Sequence, residues 1–254
     1  VLAEHVLGWE TARLLMDGHE PAPTAVAAAY DTAIARRAAR EPVAYISGVK
    51  EFWNLTIEVS PAVLIPRPET EGIIEQVLGR RPDRTAALAI ADVCTGSGCL
   101  AVALAVEYPR ARIVASDISR EALDVAARNV RRHGVANRVA LVQDDVLTGQ
   151  QARFELIVAN PPYVPEGERS SIQAEVRCEP AAALYAGPDG LDVIRRLVAD
   201  APSRLRRGGL LLFEFGFGQK QTVADLISAV QMLRMIGIAS DFSGIPRIAL
   251  AERV

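Results

Sequence analysis

Ala91-Asp92-Val93-Cys94-Thr95-Gly96-Ser97-Gly98 leads without a break into Cys99-Leu100-Ala101-Val102-Ala103-Leu104-Ala105-Val106. Residues 88–93 are a short apolar run of strand length, and the apolar octet falls within an expected helix over 98–107. Between them, a Gly-x-Gly turn lets the backbone swing sharply and approach a ligand closely. The alternation continues outward. Strands are expected at 111–116, 138–142, 154–159 and 208–215, with helices at 120–132, 190–205 and 219–230. Short apolar strands alternating with helices indicate an α/β fold whose mostly parallel sheet is covered on both faces. Two further strands, near 232–238 and 247–251, flank Asp241-Phe242-Ser243-Gly244. So short a link suits an antiparallel hairpin at the sheet edge, which makes seven strands.

Toward the N-terminus the pattern changes. Residues 1–46 are Ala-rich with helical periodicity. One apolar face is Val1/Leu2/Val6/Leu7/Trp9 with Leu14/Leu15, and another is Val26/Ala29/Tyr30/Ala33/Ile34, with Pro21 and Pro23 between them. A small helical bundle is expected, ended by Glu41-Pro42. The chain starts on Val1 already in a helical pattern, so the bundle is expected to be cut short. In 49–59, Trp53, Leu55, Ile57 and Val59 alternate with polar residues as in a half-buried strand. The reading gives a bundle (1–46), a strand or hairpin linker (47–70) and an α/β domain (71–254). The last opens on an amphipathic helix with Ile73, Ile74, Val77 and Leu78 inward.

Composition narrows the function. The net charge of −3 argues against gripping nucleic acid by general electrostatics. Three cysteines (Cys94, Cys99, Cys178) and three isolated histidines offer neither a disulfide framework nor metal-ligand spacing. A reduced, cytoplasmic setting without a resident metal is expected. The longest apolar run, Cys99–Val106, falls far short of the ~20 residues that span a membrane. A monomer is expected.

The sites lie where open α/β sheets bind ligands, outside the carboxyl ends of the strands. Asp117 ends the second of these strands, where a carboxylate can accept both ribose hydroxyls of an adenosine group, or can serve as a helix N-cap. Asp144-Asp145 ends the third and could reach an adenine amino group. Asn160-Pro161-Pro162-Tyr163 ends the fourth. Prolines there have no N–H to donate, so the carbonyls of Asn160 and Pro161 are free to point into a cleft. The Asn side chain adds an acceptor and an NH2 donor, and Tyr163 adds a flat face. The set could grip a planar group carrying NH2. Gly-Ser-Gly-Cys-Leu-Ala at 96–101 does not exclude the dinucleotide fingerprint. The acidic Asp92 entering the turn, suited to a cationic amino group, together with the Asn-Pro-Pro-Tyr turn, favours S-adenosylmethionine.

Together these residues resemble the class I (Rossmann-like) S-adenosylmethionine-dependent methyltransferases, and more narrowly the HemK/PrmC-type protein-(glutamine-N5) methyltransferases of peptide chain release factors. The resemblance extends over Glu41–Gly48, Glu51-Phe52-Trp53, Leu64-Ile65-Pro66-Arg67-Pro68-Glu69-Thr70-Glu71, Glu179-Pro180, Gly187–Leu191 and Glu214-Phe215-Gly216. It implies cofactor contacts from Asp92, Cys94, Thr95, Gly96, Ser97, Gly98, Asp117, Ile118, Asp145, Val146 and Asn160. It implies a catalytic Asn160–Tyr163 turn that holds a substrate glutamine amide between Tyr163 and Phe52. Release factors are the implied partners, and the N-terminal bundle is expected to recognise them. Two departures stand out. The family usually has Gly where Cys94 stands, and a side chain there crowds the loop only if φ is positive. An acidic or polar residue commonly precedes Arg247, where this chain has Pro246. The rival readings are an adenine-N6 methyltransferase on DNA or RNA, a glutamine methyltransferase acting on a ribosomal protein, a cofactor-holding module without catalysis, and a nicotinamide oxidoreductase.

Overall fold

The structure, a computed structural model, describes all of residues 1–254. Four helices come first: α1 (Leu2–Leu7), α2 (Thr11–Asp17), α3 (Thr24–Ala38) and α4 (Val43–Ser47). A hairpin of β1 (Val49–Phe52) and β2 (Leu55–Glu58) leads to α5 (Pro68–Arg80). The alternating part follows as β3 (Ala89–Val93), α6 (Cys99–Glu107), β4 (Arg112–Asp117), α7 (Arg120–Arg132), β5 (Val139–Gln143) and β6 (Phe154–Ala159). It closes with α8 (Asp192–Arg204), β7 (Leu205–Glu214), α9 (Lys220–Ser228), β8 (Leu233–Ser240) and β9 (Pro246–Arg253).

The seven-stranded sheet has the order β5-β4-β3-β6-β7-β9-β8. The first five strands are mutually parallel, and β9 runs antiparallel to both β7 and β8. The expected edge hairpin is therefore present, with its second strand inserted on the inner side. Successive side chains of a strand face opposite sides of the sheet. In β6, Leu156 and Val158 enter one core with α6 and α7, and Ile157 and Ala159 enter the other with α8. That division is why Leu156-Ile157-Val158-Ala159 reads as continuously apolar. Each fully buried Leu, Ile or Val contributes about 1.5–3 kcal/mol relative to exposure.

Of the two forms read for the linker, strand or hairpin, residues 49–58 take the hairpin, rather than the single strand that the alternation alone suggests. Trp53 and Asn54 both have positive φ (52° and 56°), the signature of a type I′ turn. Asn tolerates that geometry, and Trp53 is held by its N–H donating to Glu71 Oε1 (2.8 Å) and its indole Nε1 donating to Glu107 Oε1 (2.6 Å). The N-terminal helices are present, with Leu2, Val6, Leu7, Trp9, Leu14 and Val26 of the two apolar faces half-buried. Of α1–α3 only Ala33 is buried, and Leu15, Met16, Tyr30 and Ile34 are exposed. Helices of six and seven residues have little cohesion of their own. Ion pairs of Arg37 and Arg40 with Glu175 tie α3 to the loop after β6.

Candidate active site

The carboxyl ends of β3, β4 and β6 converge on a cavity of about 310 Å³. Its floor is the turn after β3. Gly96 there has φ 54°, and its side-chain position faces open space. Gly98, with φ 79°, does a different job: a Cβ there would stand 3.1 Å from Ala126 Cβ, so it allows α6 and α7 to meet closely. Asp117 pins the turn. Its Oδ2 accepts from Gly96 N–H (2.9 Å) and its Oδ1 from Ser119 N–H (2.9 Å). Burial pushes its carboxyl upward, against the pull of those N–H bonds. Each oxygen keeps a further lone pair for a ligand hydroxyl. The helix cap is Ser119, whose Oγ accepts from Ala122 N–H (3.2 Å), so Asp117 is not the cap.

Cys94, Thr95, Gly96, Ser97, Asp117, Ile118, Asp145 and Val146 all line this cavity, as do Asn160 and Pro162. Ile118 lies at the rim and is exposed, an apolar surface suited to a flat ring. Asp145 pairs with Arg196 Nη1 through Oδ2 (2.6 Å), which leaves Oδ1 for a ligand amino group. Asp144 is committed elsewhere, accepting from Thr148, Gly149 and Gln150.

Cys94 has φ 58°, the strained alternative of the two open in the sequence. Left-handed backbone costs a non-Gly residue about 1–2 kcal/mol, and Gly costs about 0.5–1 kcal/mol in unfolded-state entropy. Cys94→Gly is therefore expected to raise the thermal midpoint modestly, as differential scanning calorimetry would show. A lower midpoint would mean that thiol packing outweighs the strain. Burial pushes the thiol well above its ordinary range, with Asp117 adding to the effect, so it stays uncharged.

Three expected contacts are corrected. Asp92 lines neither this cavity nor the second one described below. It is sealed beneath the turn, where Oδ2 accepts from Thr95 Oγ1 (2.6 Å) and Ala101 N–H (3.0 Å), and Oδ1 has no partner. The first N–H groups of α6, Ala101 among them, draw the carboxylate inward, so it braces the loop from beneath. Gly98 is likewise behind the wall, against α7. Phe52 is 1% exposed, packed in the core at the end of β1. The hairpin turn carries it inward, away from the site.

Burial pushes the Asp92 carboxyl up to about 7 from its ordinary 3.8, against the Thr95 and Ala101 hydrogen bonds. The folded protein then holds this proton more tightly than the unfolded chain. The stability this contributes is fully present below about pH 4 and is lost as pH rises toward 7. Asp92→Asn cannot titrate. Its thermal midpoint relative to the parent is expected to climb between pH 4 and 7. A constant difference across that range would contradict the assignment.

At the tip of β6, Asn160 Nδ2 donates to Thr70 Oγ1 (2.8 Å). Thr70 Oγ1 donates to Glu214 Oε2 (2.6 Å), and Tyr163 OH donates to Glu214 Oε1 (2.8 Å). Asn160 Oδ1 is buried without a partner. Such an atom costs about 1–3 kcal/mol unless a ligand satisfies it. A second cavity of about 340 Å³ begins here, lined by Pro161, Tyr163, Arg67 and Val176. Asn160 and Leu64 belong to both cavities. Pro161 faces the second and Pro162 the first. Arg67 is fixed by an ion pair with Glu179, whose Oε2 accepts from Ile65 N–H (3.0 Å). Thr70, Glu214, Leu64 and Arg67 were not among the expected site residues. The connector and the Glu214-Phe215-Gly216 segment marked them only as part of the resemblance.

This sheet order, with the cavity at its carboxyl edge, is that of a class I methyltransferase. Structural similarity agrees. A ribosomal protein methylase from Lactobacillus delbrueckii subsp. bulgaricus superposes with TM-score 0.57 at 21% identity, over 78% of this chain and 84% of that one. A 16S rRNA methyltransferase from T. thermophilus, in complex with AdoMet and guanosine, gives 0.58 at 18%, over 81% and 50%. Family models of the methyltransferase small domain and the PrmC N-terminal domain match residues 76–190 and 1–48. The release factor glutamine methyltransferase of Moorella thermoacetica is 45% identical over 99% of this chain and 90% of its own length. That of Cereibacter sphaeroides is 41% identical over 99% and 88%. The chain belongs to the release factor glutamine methyltransferase family.

Proposed function

We propose that the protein transfers a methyl group from S-adenosylmethionine to the side-chain amide nitrogen of the glutamine in the Gly-Gly-Gln motif of peptide chain release factors. The observation that carries this reading is Asn160, which lines both cavities and whose side-chain Oδ1 is buried without a partner. The first cavity fits the cofactor. Asp117 has spare acceptor capacity for ribose hydroxyls, Ile118 offers an apolar surface for the adenine ring, and Asp145 keeps a free oxygen for the adenine amino group. When bound, S-adenosylmethionine supplies an electrophilic methyl group.

The second cavity takes the glutamine. An amide nitrogen is a poor nucleophile because its lone pair is delocalised into the carbonyl. Asn160 Oδ1 and the Pro161 carbonyl accept its two N–H bonds, which fixes the nitrogen and stabilises the positive charge that grows on it. The Tyr163 ring bounds the amide plane, with its hydroxyl tied to Glu214. Once methylated, the nitrogen is acidic enough to lose its proton to water, so positioning supplies most of the rate. Residues 1–46 act in recognising the protein substrate, 47–70 link, and 71–254 catalyse.

The test is incubation with labelled S-adenosylmethionine, a release factor, ribosomal proteins and duplex DNA together. Label on the release factor supports the reading. Label on adenine or on a ribosomal protein overturns it.

A further inference from the structure

We infer that Glu214 and Thr70 determine which end of the Asn160 amide faces the reacting centre, and so act as positioning residues for methyl transfer. The inference rests on the role given to Asn160 above. An Asn side chain has two ends of nearly the same shape, one an acceptor and one a donor. Only one orientation accepts an N–H from a substrate amide. The reversed one presents N–H to N–H.

The choice follows from a chain of forced roles. An ionised carboxylate can only accept. Thr70 Oγ1 and Tyr163 OH both lie within hydrogen-bond distance of Glu214, so both must donate to it. The single hydroxyl proton of Thr70 is thereby committed, and its oxygen can only accept from Asn160. The NH2 end must turn to Thr70, at 2.8 Å, and Oδ1 is left free. Glu214 is 1% exposed and Thr70 2%, so water cannot relax this order. The network joins α5, the turn after β6 and the end of β7, which are distant in sequence.

The charge on Glu214 is what enforces the polarity. Burial pushes its carboxyl above the ordinary range; Thr70 and Tyr163 oppose this, Glu69 adds to it and Arg247 opposes it. Arg247 is held by Asp241 Oδ2 (3.2 Å) from the β8–β9 turn. That turn supplies the acidic partner missing at Pro246. A proton on Glu214 would release Thr70 to donate to Asn160 Oδ1, which reverses the amide. Transfer should therefore fall as pH drops through the raised carboxyl range.

The experiment uses the full chain with labelled S-adenosylmethionine and a release factor, comparing Thr70→Val, Thr70→Ser and Glu214→Gln. Gln keeps the shape of Glu but must donate to one of the two hydroxyls. Thr70→Val and Glu214→Gln are expected to lower kcat about 10- to 100-fold, with KM for the protein and Kd for the cofactor nearly unchanged. Thr70→Ser should restore kcat, and the acid limb of the pH profile should vanish in Glu214→Gln. A second readout needs no turnover: hydrogen exchange of the Asn160 side-chain NH2 in the free protein, slow in the parent and fast in Thr70→Val. Unchanged kcat in Thr70→Val, a Thr70→Ser variant as slow as Thr70→Val, or a parallel loss of cofactor affinity would overturn the inference. If the parent protein leaves the release factor unmodified, the proposed function fails, and the exchange readout alone decides whether the network orients Asn160.

Discussion

Asn160→Ala should reduce methyl transfer by about 10²–10³-fold at saturating cofactor, the scale set by removing one preorganised polar group from a reacting centre. The substitution removes the acceptor at the junction of the two cavities. It also leaves Thr70 Oγ1 without its donor. The turn itself is held by other means. Pro161 and Pro162 fix its backbone, and Tyr163 stays bonded to Glu214. The cavity wall formed by the turn after β3 is untouched. Calorimetric Kd for S-adenosylmethionine should therefore stay within a few-fold of the parent. Single-turnover transfer measures the first quantity. Parent-like transfer would show that Asn160 does not hold the nucleophile.

Asp117→Ala should act on the other half of the site. It removes one hydrogen bond that orders the Cys94–Gly98 turn, another to Ser119 N–H at the start of α7, and the acceptors proposed for the ribose hydroxyls. Hydrogen bonds to charged groups contribute about 1.5–3 kcal/mol each. Losing roughly 3 kcal/mol in all corresponds to about a 10²-fold weaker Kd. Transfer measured at very high cofactor should recover much of its rate, unlike Asn160→Ala. Asp117 also gives the sign of the pH effect. Its carboxyl is pushed up by burial, and only the ionised form offers all its acceptors. Cofactor affinity should decline as pH falls through that raised range, and the decline should be absent in Asp117→Asn. Equal Kd values for the parent protein and Asp117→Ala would contradict this role.

The α/β alternation was legible because β3, β4, β6 and β7 are buried on both faces. That burial imposes short apolar runs separated by helical ones, with no dependence on distant partners. The edge hairpin was legible from the four-residue link. The place of β9 between β7 and β8 was not, because strand order depends on pairing rather than on local pattern. The alternation in 49–59 does not by itself separate strand from hairpin, because a two-residue I′ turn preserves the alternation of the strands it joins. Only the positive φ at Trp53 and Asn54 betrays it. Phe52 was placed at the site by the resemblance alone, while the packing at the end of β1 buries it.

At the site, residues that touch a cavity through their own loop were readable: the turn after β3, Asp117 and Asn160 all sit at strand ends. Asp92 was readable as important, but its direction was not, since the pull of the α6 N-terminus on its carboxylate is a three-dimensional effect. Thr70 and Glu214 lie 90 and 54 residues from Asn160. No spacing rule links such positions. They become intelligible only when α5 and β7 bring one hydroxyl and one carboxylate beside the same side chain.

In the proposed reaction this site methylates a glutamine side-chain amide held by Asn160. The most direct measurement is peptide mass spectrometry of a release factor incubated with the protein and S-adenosylmethionine, with fragmentation to place the new group. A single methyl on the side-chain nitrogen of the Gly-Gly-Gln glutamine, nearly absent with Asn160→Ala, is the result expected. A methyl on another residue, or equal methylation by Asn160→Ala, would contradict the account.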